Sequence, residues 1–292
     1  MIRTPICDVV GIEKPVFQGG MAWIADASLA SAVSNAGGLG AISAMNADAE
    51  WLRGQIRACR ELTDRPFGVN IMLQSPFVDE IAQVVVDEHV PVVITGAGKN
   101  FSAGGDIKEM ATFEFISYEL SMLTGQTALC LRRCKKPIIA MVNGAAAGGG
   151  CGIALAADFR IMTEESYLLT AFSNVALPGD TGCIYNLHQI VGLAKTIELM
   201  AFSAPIYGAE ALRLGLATKV TAANNLLDET MAFAAKLMRR PLGAIAMQKQ
   251  LYYEIFYRDY MMYSRLEAEN LAKAGKSADH REAVTAFLEG RK

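Results

Sequence analysis

The chain is predicted to be an α/β protein built on parallel strands, and three observations carry that expectation. Over the first 98 residues, short β-like apolar runs alternate with helical stretches, the order that strands joined by crossover helices require. Two glycine clusters, at 101–110 and 143–152, each follow a β-like run and open a helix-like stretch. Apolar residues make up 52% of the 292 residues and mean hydropathy is +0.25. That is enough for a large core, with apolar area left over for contacts between copies.

Taken in order, Pro15–Gly20 reads as a strand, Asp26–Ala36 as a helix, Gly40–Ser43 as a second strand and Asp48–Leu62 as an amphipathic helix. Phe67–Met72 is a third strand, Pro76–Glu88 a third helix and Val92–Thr95 a fourth strand. The right-handed crossover rule places Phe67–Met72 beside Val92–Thr95. Further on, Ile138–Val142 is a strand running into the second glycine cluster. Residues 137–157 carry no charge and are long enough to span a bilayer, but Asn143 and five glycines break them as one helix. They read as strand, turn and helix. Tyr185–Val191 and Ser277–Leu288 read as helices. Tyr252, Tyr253, Phe256, Tyr257, Tyr260, Met261 and Met262 form an aromatic–Met run near helical spacing, which suits a core or a contact between subunits more than a ligand box.

Formal charge is −3 and the isoelectric point near 5.7, which excludes nucleic acid as a primary partner. Up to Gly98 there are six Lys/Arg against eleven Asp/Glu, and 21 against 19 thereafter. The basic knot Arg132, Arg133, Lys135, Lys136 suits either a phosphorylated ligand or a solvated helix end. The six cysteines show no CxxC spacing, as expected of reduced thiols. The N-terminal residues have no apolar signal core, so a cytoplasmic protein with no membrane partner is expected. His89, His188 and His280 lack metal-ligand spacing, no GxSxG or Cys–His arrangement stands out, and no metal is expected. Asp158, at a helix end, reads as structural.

The glycine clusters carry the chemistry. The first is Phe101-Ser102-Ala103-Gly104-Gly105-Asp106-Ile107-Lys108-Glu109-Met110. The second is Asn143-Gly144-Ala145-Ala146-Ala147-Gly148-Gly149-Gly150-Cys151-Gly152, continuing to Asp158. Glycine lets backbone N–H groups approach a ligand, and a helix N-terminus adds positive potential. Two such turns facing each other would form an oxyanion hole. Nucleotide-phosphate binding and simple close packing are the other readings of such turns, but no P-loop Lys-Ser/Thr follows either cluster. Together the clusters resemble the crotonase (enoyl-CoA hydratase/isomerase) superfamily, from about Val92 to the C-terminus. The resemblance implies a crotonase-like ββα spiral core with a C-terminal helical region. It assigns the oxyanion N–H groups to Gly105 and Gly149, and contacts with the acyl-CoA or acyl-carrier-protein substrate to Ala103, Gly104, Asp106, Ile107, Lys108 and Gly148. It also implies homotrimers or hexamers, with residues 277–288 as the last helix covering the acyl site. The family's usual Asn-Arg-Pro entry segment is replaced by Leu73-Gln74-Ser75-Pro76.

The N-terminal third is similar to a second family. Gln18-Gly19-Gly20-Met21-Ala22-Trp23, Ser34-Asn35-Ala36-Gly37-Gly38-Leu39-Gly40 and Phe67-Gly68-Val69-Asn70 resemble the start of flavin-dependent enoyl-ACP reductase and nitronate monooxygenase barrels. In that family Gly20, Met21 and Asn70 would lie near the flavin ring. The resemblance stops near Gly98, before the strands that carry the flavin phosphate loop and catalytic His, and three and a half βα units of eight cannot close a barrel. FMN is therefore not expected as a cofactor, nor any other tightly bound one. The expectation is a fusion: residues 1–65 as an incomplete βα-barrel-like segment with an exposed sheet edge, and residues 66–292 as a crotonase-like domain. In the latter, residues 66–95 replace the family's first βαβ unit.

Hydratases of the superfamily use two glutamates, aligned here with Gly152 and near Phe172. Neither residue can activate water or protonate a carbon. Asp180, in Leu177-Pro178-Gly179-Asp180-Thr181-Gly182, resembles the single carboxylate of enoyl-CoA isomerases; its other reading is a helix N-cap. A dehalogenase-like relative would need a His near position 125, which is Gly. The favoured expectation is an enoyl-CoA isomerase. A hydratase, a flavin-dependent enzyme fragment and a non-catalytic fusion are the alternatives.

Overall fold

In the computed structural model the described residues are 7, 11–19, 21, 24–44, 47–71, 77–88, 92–94, 99–112 and 116–291. The chain forms two units, Met1–Gly96 and Ala97–Lys292.

The N-terminal unit is a three-stranded parallel sheet with helices between its strands. Strand β1 is Gly40–Ser43, β2 Phe67–Asn70 and β3 Val92–Ile94, with β2 in the centre. Their register pairs Ile42 with Val69 and Val69 with Val93, so the expected neighbours do pair. Helix α1 (Ala27–Asn35) starts where the Asp26 carboxylate accepts from Leu29 N, and α2 (Ala49–Leu62) where Asp48 accepts from Trp51 N, both ordinary N-caps. On α2, Leu52, Ile56 and Cys59 recur at helical spacing and are buried, the apolar stripe that seats a helix on a sheet. One residue further round, Arg53, Arg57 and Arg60 converge on Glu88 at 3.0, 2.9 and 2.9 Å, just beyond α3 (Val78–Asp87). Among the described residues of the strand expected over Pro15–Gly20, Phe17 forms one bridge, to Leu39; Gly20 lies outside them. Strand β1 is hydrogen-bonded along β2, so residues on both sides of position 65 share one sheet and one core, built from Ile42, Leu52, Ile56, Val69 and Ile81.

The C-terminal unit repeats a β–β–α motif that feeds two small sheets. Strands β4 (Ile139–Val142) and β5 (Ala145–Ala147) lead into α6 (Gly149–Ala156). Strands β6 (Phe159–Thr163) and β7 (Tyr167–Leu169) lead into α7 (Cys183–Phe202). Strand β8 (Ile206–Tyr207), helix α8 (Gly208–Arg213) and strand β9 (Lys219–Thr221) complete the set. One sheet has the order β4-β6-β9 and is parallel. The other has the order β5-β7-β8, with β8 antiparallel. Each turn of the spiral thus gives a strand to both sheets. The side chains of Val142, Ala146, Leu155, Met162, Leu168, Leu187 and Leu216 fill the interior. Before β4 come α4 (Ile107–Met110) and α5 (Tyr118–Arg133). After β9 come α9 (Leu226–Met238), α10 (Leu242–Phe256), α11 (Tyr260–Ala274) and α12 (Ala278–Leu288). Among the described residues, no helix is long and apolar enough to cross a membrane.

Polar ties fix the joints of this unit. Asp158 accepts from Ile138 N at 2.7 Å and from Lys249 Nζ at 2.6 Å, which agrees with its structural reading. Arg132 donates to Leu155 O at 2.6 Å at the end of α6 and lies 5.2 Å over the Tyr257 ring; Arg133 lies 5.3 Å over Tyr253. Half of the basic knot is therefore engaged within the protein. In the aromatic run, Tyr253, Tyr257, Tyr260 and Tyr263 form a ring cluster around Tyr185, while Tyr252, Phe256 and Met262 are exposed.

Candidate active site

The first glycine loop is stitched to β5. Ser102 bridges Ala146, taking Ala145 O at 3.1 Å and giving its own carbonyl to Ala147 N at 2.9 Å. Gly104 has φ +85 and lies so close to the second turn that a Cβ there would be 2.7 Å from Ala147 O and 3.3 Å from Gly149 N. Only glycine meets both demands. Gly148 is the N-cap of α6 at φ 53 and ψ −123, with its N–H on Leu169 O at 2.9 Å. Among the described residues, no hydrogen bond within the chain engages the N–H of Gly105 or of Gly149. The two turns therefore sit side by side with uncommitted donors, one of them at a helix N-terminus, where the dipole favours negative charge.

The residues assigned to substrate by resemblance divide into two groups. Ala103, Gly104, Gly105, Asp106 and Lys108 are exposed. Asp106 Oδ1 accepts from Lys108 N at 2.8 Å, and Ile107 packs against the core.

Asp180 lies on the segment before α7, and its neighbour Thr181 packs against the second glycine turn. This segment is conformationally unusual: Ala171, Ala176, Thr181, Gly179 and Gly182 all have positive φ. Non-glycine residues there cost about 1–3 kcal/mol each and gather at functional sites. The helix N-cap is Gly182, with no side-chain cap, so the Asp180 carboxyl is free of the capping role. Its Oδ1 accepts from Thr181 N at 2.6 Å and from the Thr124 hydroxyl. Burial holds its proton affinity above the ordinary carboxylate range, against the lowering effect of Thr124 and Thr181. Thr181 joins this residue to the second glycine turn: a Cβ on Gly149 would lie 3.0 Å from Thr181 Oγ1, and one on Gly152 only 2.7 Å from Thr181 O. Gly152 is buried, so the site of the first hydratase glutamate is closed by the Asp180 turn. Phe172 is 5% exposed, and its ring lies 3.9 Å from where a Cβ on Gly148 would be. It lines the turn as an apolar wall.

Two paired glycine turns with one shielded carboxyl beside them form the arrangement to be matched, and residues 64–292 match the enoyl-CoA hydratase/isomerase family. The chain belongs to that family. Among its relatives in the crotonase superfamily, a probable enoyl-CoA hydratase of Bacillus subtilis is 35% identical over 207 residues, covering 69% of this chain and 79% of the relative. One from Rhodobacter capsulatus is 34% identical, covering 68% and 78%. A trans-2-decenoyl-[acyl-carrier-protein] isomerase of Streptococcus mutans is 27% identical, covering 77% and 88%. Among solved structures, an enoyl-CoA hydratase from Mycobacterium avium subsp. paratuberculosis superposes with a TM-score of 0.64 at 27% identity, covering 75% of this chain and 87% of that one.

Residues 3–97 match the nitronate monooxygenase family. Among the described residues the sheet of the N-terminal unit has three strands, and the Gln18 amide is spent on the backbone of β1, accepting from Ala41 N at 2.9 Å and donating to Ala41 O at 3.2 Å. Met21 is 41% exposed and Asn70 half-buried. Gly20 lies outside the described residues, as do Trp23, the Leu73–Pro76 segment, His89 and residues 95–98 of the seam.

Thr124 on α5 and Glu267 on α11 also meet the Asp180 turn, with no local signal in the sequence. Glu267 Oε2 accepts from Gly182 N at 3.0 Å and its Oε1 from Tyr263 Oη at 2.5 Å. The former contact spans 85 residues, and no local pattern marks it. On α12, His280 Nδ1 meets Val175 O at 2.6 Å, which ties the last helix to the Asp180 segment. Among the described residues, no group of three His, Cys, Asp or Glu side chains could hold a metal.

Proposed function

We propose that this crotonase-family enzyme moves a double bond along the acyl chain of a thioester of coenzyme A or acyl-carrier protein. The observation that carries the reading is the Asp180 carboxyl, shielded and hydrogen-bonded on a turn that packs on Gly149 and closes the Gly152 site. The thioester carbonyl oxygen accepts from the N–H groups of Gly105 and Gly149. The carboxylate of Asp180 removes a proton from C2 of a 3-enoyl thioester, and the electron pair spreads over the dienolate. The same carboxyl returns the proton at C4, which leaves the conjugated 2-enoyl product and restores the carboxylate. Shielding from water raises the proton affinity of Asp180, which brings a carboxylate closer to the strength that this abstraction needs. The loop residues Ala103, Gly104, Asp106, Ile107 and Lys108, with Gly148, are assigned to the carrier end of the substrate.

A hydratase reading is favoured by the names of the curated relatives. Against it stand Gly152 and Phe172, where the two acids would be. The two readings separate on purified protein: formation of a conjugated thioester from a 3-enoyl-CoA supports isomerase, and efficient hydration of crotonyl-CoA supports hydratase. A family match beginning at residue 64 supports residues 66–95 as the replacement for the family's opening unit. No tightly bound cofactor is proposed. Assembly into trimers or hexamers is supported by the apolar stripe of Met247, Leu251 and Ile255 on α10, at 69, 55 and 59% exposure.

A further inference from the structure

We propose that Glu267, reaching in from α11, is a positioning residue that holds the Asp180 turn in its working conformation. The inference rests on the reading of Asp180 as the proton carrier. Thr181 and Gly182 follow Asp180 at φ +56 and +64, two successive left-handed residues of which the first is β-branched. Such a pair persists only where its surroundings over-determine it. Each of the two N–H groups is held by a carboxyl: that of Thr181 by Asp180 at 2.6 Å, and that of Gly182 by Glu267 at 3.0 Å. Glu267 is itself pinned through its other oxygen by Tyr263, at 2.5 Å. On the same helix Tyr260 lies against Gly182, where a Cβ would be 2.0 Å from Tyr260 Oη, and donates to Gly125 O on α5 at 3.0 Å. The turn is thus clamped to α11 at one point, and Glu267 is the polar half of the clamp.

Glu267 also senses the charge of Asp180. Glu267 is 7% exposed. Burial, aided by the Asp180 charge and opposed by the bonds from Tyr263 and Gly182, pushes it up to about 7. The other titratable groups facing it are Cys183 at the start of α7, hydrogen-bonded to Cys151 of α6, and Tyr260 and Tyr263 of α11. All three of Cys183, Tyr260 and Tyr263 are raised, so they stay neutral when Glu267 ionises. Arg132 of α5 acts on Tyr260 from further off. Ionisation of Glu267 places a like charge beside Asp180 and strengthens it as a base. Turnover should therefore step upward near neutral pH.

The test measures kcat and KM of the full chain on a 3-enoyl-CoA across about pH 5–9, for wild type, Glu267→Leu, Glu267→Gln and Asp180→Asn. Infrared titration of the carboxyl bands is run alongside. Glu267→Leu should lower kcat on the order of 10²-fold, as misplacement of a reacting group does, with KM changed only a few-fold. Glu267→Gln keeps an acceptor for Gly182 N–H and should recover roughly tenfold of that loss, but without the step near neutrality. Wild-type kcat in Glu267→Leu, or a persisting step in Glu267→Gln, overturns the proposal. If Glu267→Leu does not fold, the titration decides. A carboxyl ionising near pH 7 should vanish in Glu267→Gln and move to lower pH in Asp180→Asn; a band unchanged in both refutes the pairing. Full turnover by Asp180→Asn refutes the proton-carrier reading instead, and the band shift, read without turnover, still reports on Glu267.

Discussion

Thr181 Oγ1 stands 3.0 Å from the point where a side chain on Gly149 would begin. The residue that follows the proposed base therefore leaves almost no room for a side chain on the proposed oxyanion donor. One residue couples the two halves of the site, and the consequences can be tested separately.

Gly149→Pro removes one oxyanion N–H. It should lower the rate of double-bond migration on the order of 10²–10³-fold, the usual cost of one such donor. Proline is tolerated at a first helical position, so circular dichroism should show an unchanged helix content. Turnover that survives the change would place the oxyanion donors elsewhere.

Installing the hydratase layout should fail for steric reasons. In Gly152→Glu the new Cβ would lie 2.7 Å from the backbone oxygen of Thr181 and 2.9 Å from its Cβ, atoms that no rotamer change can move. Combined with Phe172→Glu, it should destabilise by at least about 1–3 kcal/mol, the range of core overpacking, and gain no hydration of crotonyl-CoA. Thermal melts and a hydration assay check both halves.

Stability should fall as pH rises toward neutrality. Asp180 and Glu267 both bind protons more tightly when folded than in the ordinary carboxylate range. Their stabilising contribution is complete below the unfolded value of about 4.5 for Glu267 and is lost as pH climbs through its folded value of about 7. For Glu267 that amounts to roughly 3 kcal/mol at most. Urea midpoints at pH 5 and pH 8 should differ more in wild type than in Glu267→Gln, and equal differences would show that Glu267 does not titrate in this range.

Fusion and assembly have simple readouts. Purified protein should be colourless and release no flavin on denaturation; stoichiometric FMN would contradict the reading of residues 3–97 as an incomplete flavin barrel. Light scattering should give trimers or hexamers, and replacing Leu251 and Ile255 by Lys should dissociate them.

The local parts of the candidate site are legible in the sequence. Glycine turns after β-like runs announce backbone donors, and the absence of acids at positions 152 and 172 is visible in the letters themselves. In the N-terminal unit, the pairing of Phe67–Asn70 with Val92–Ile94 followed from the strand–helix–strand order. What could not be read is long-range. Thr124 and Asp180 are 56 residues apart, and Gly182 and Glu267 are 85 apart. No periodicity links them, because a side chain meets such a partner only once the helices have packed. Among the described residues, the strand expected at Pro15–Gly20 forms one bridge for a related reason: an apolar run records a wish for burial, while a ladder needs a partner of equal length.

The central claim is that a single carboxyl at Asp180 carries the proton. Asp180→Asn keeps the side chain's size and its acceptor for Thr181 N–H, and Gly182 retains the helix cap, so stability should change by no more than about 1 kcal/mol. The deciding measurement is deuterium incorporation at C2 and C4 of an enoyl-CoA in D₂O, by wild type and by folded Asp180→Asn. Wild type should label both carbons and the variant neither. Labelling that persists in the variant would contradict the account.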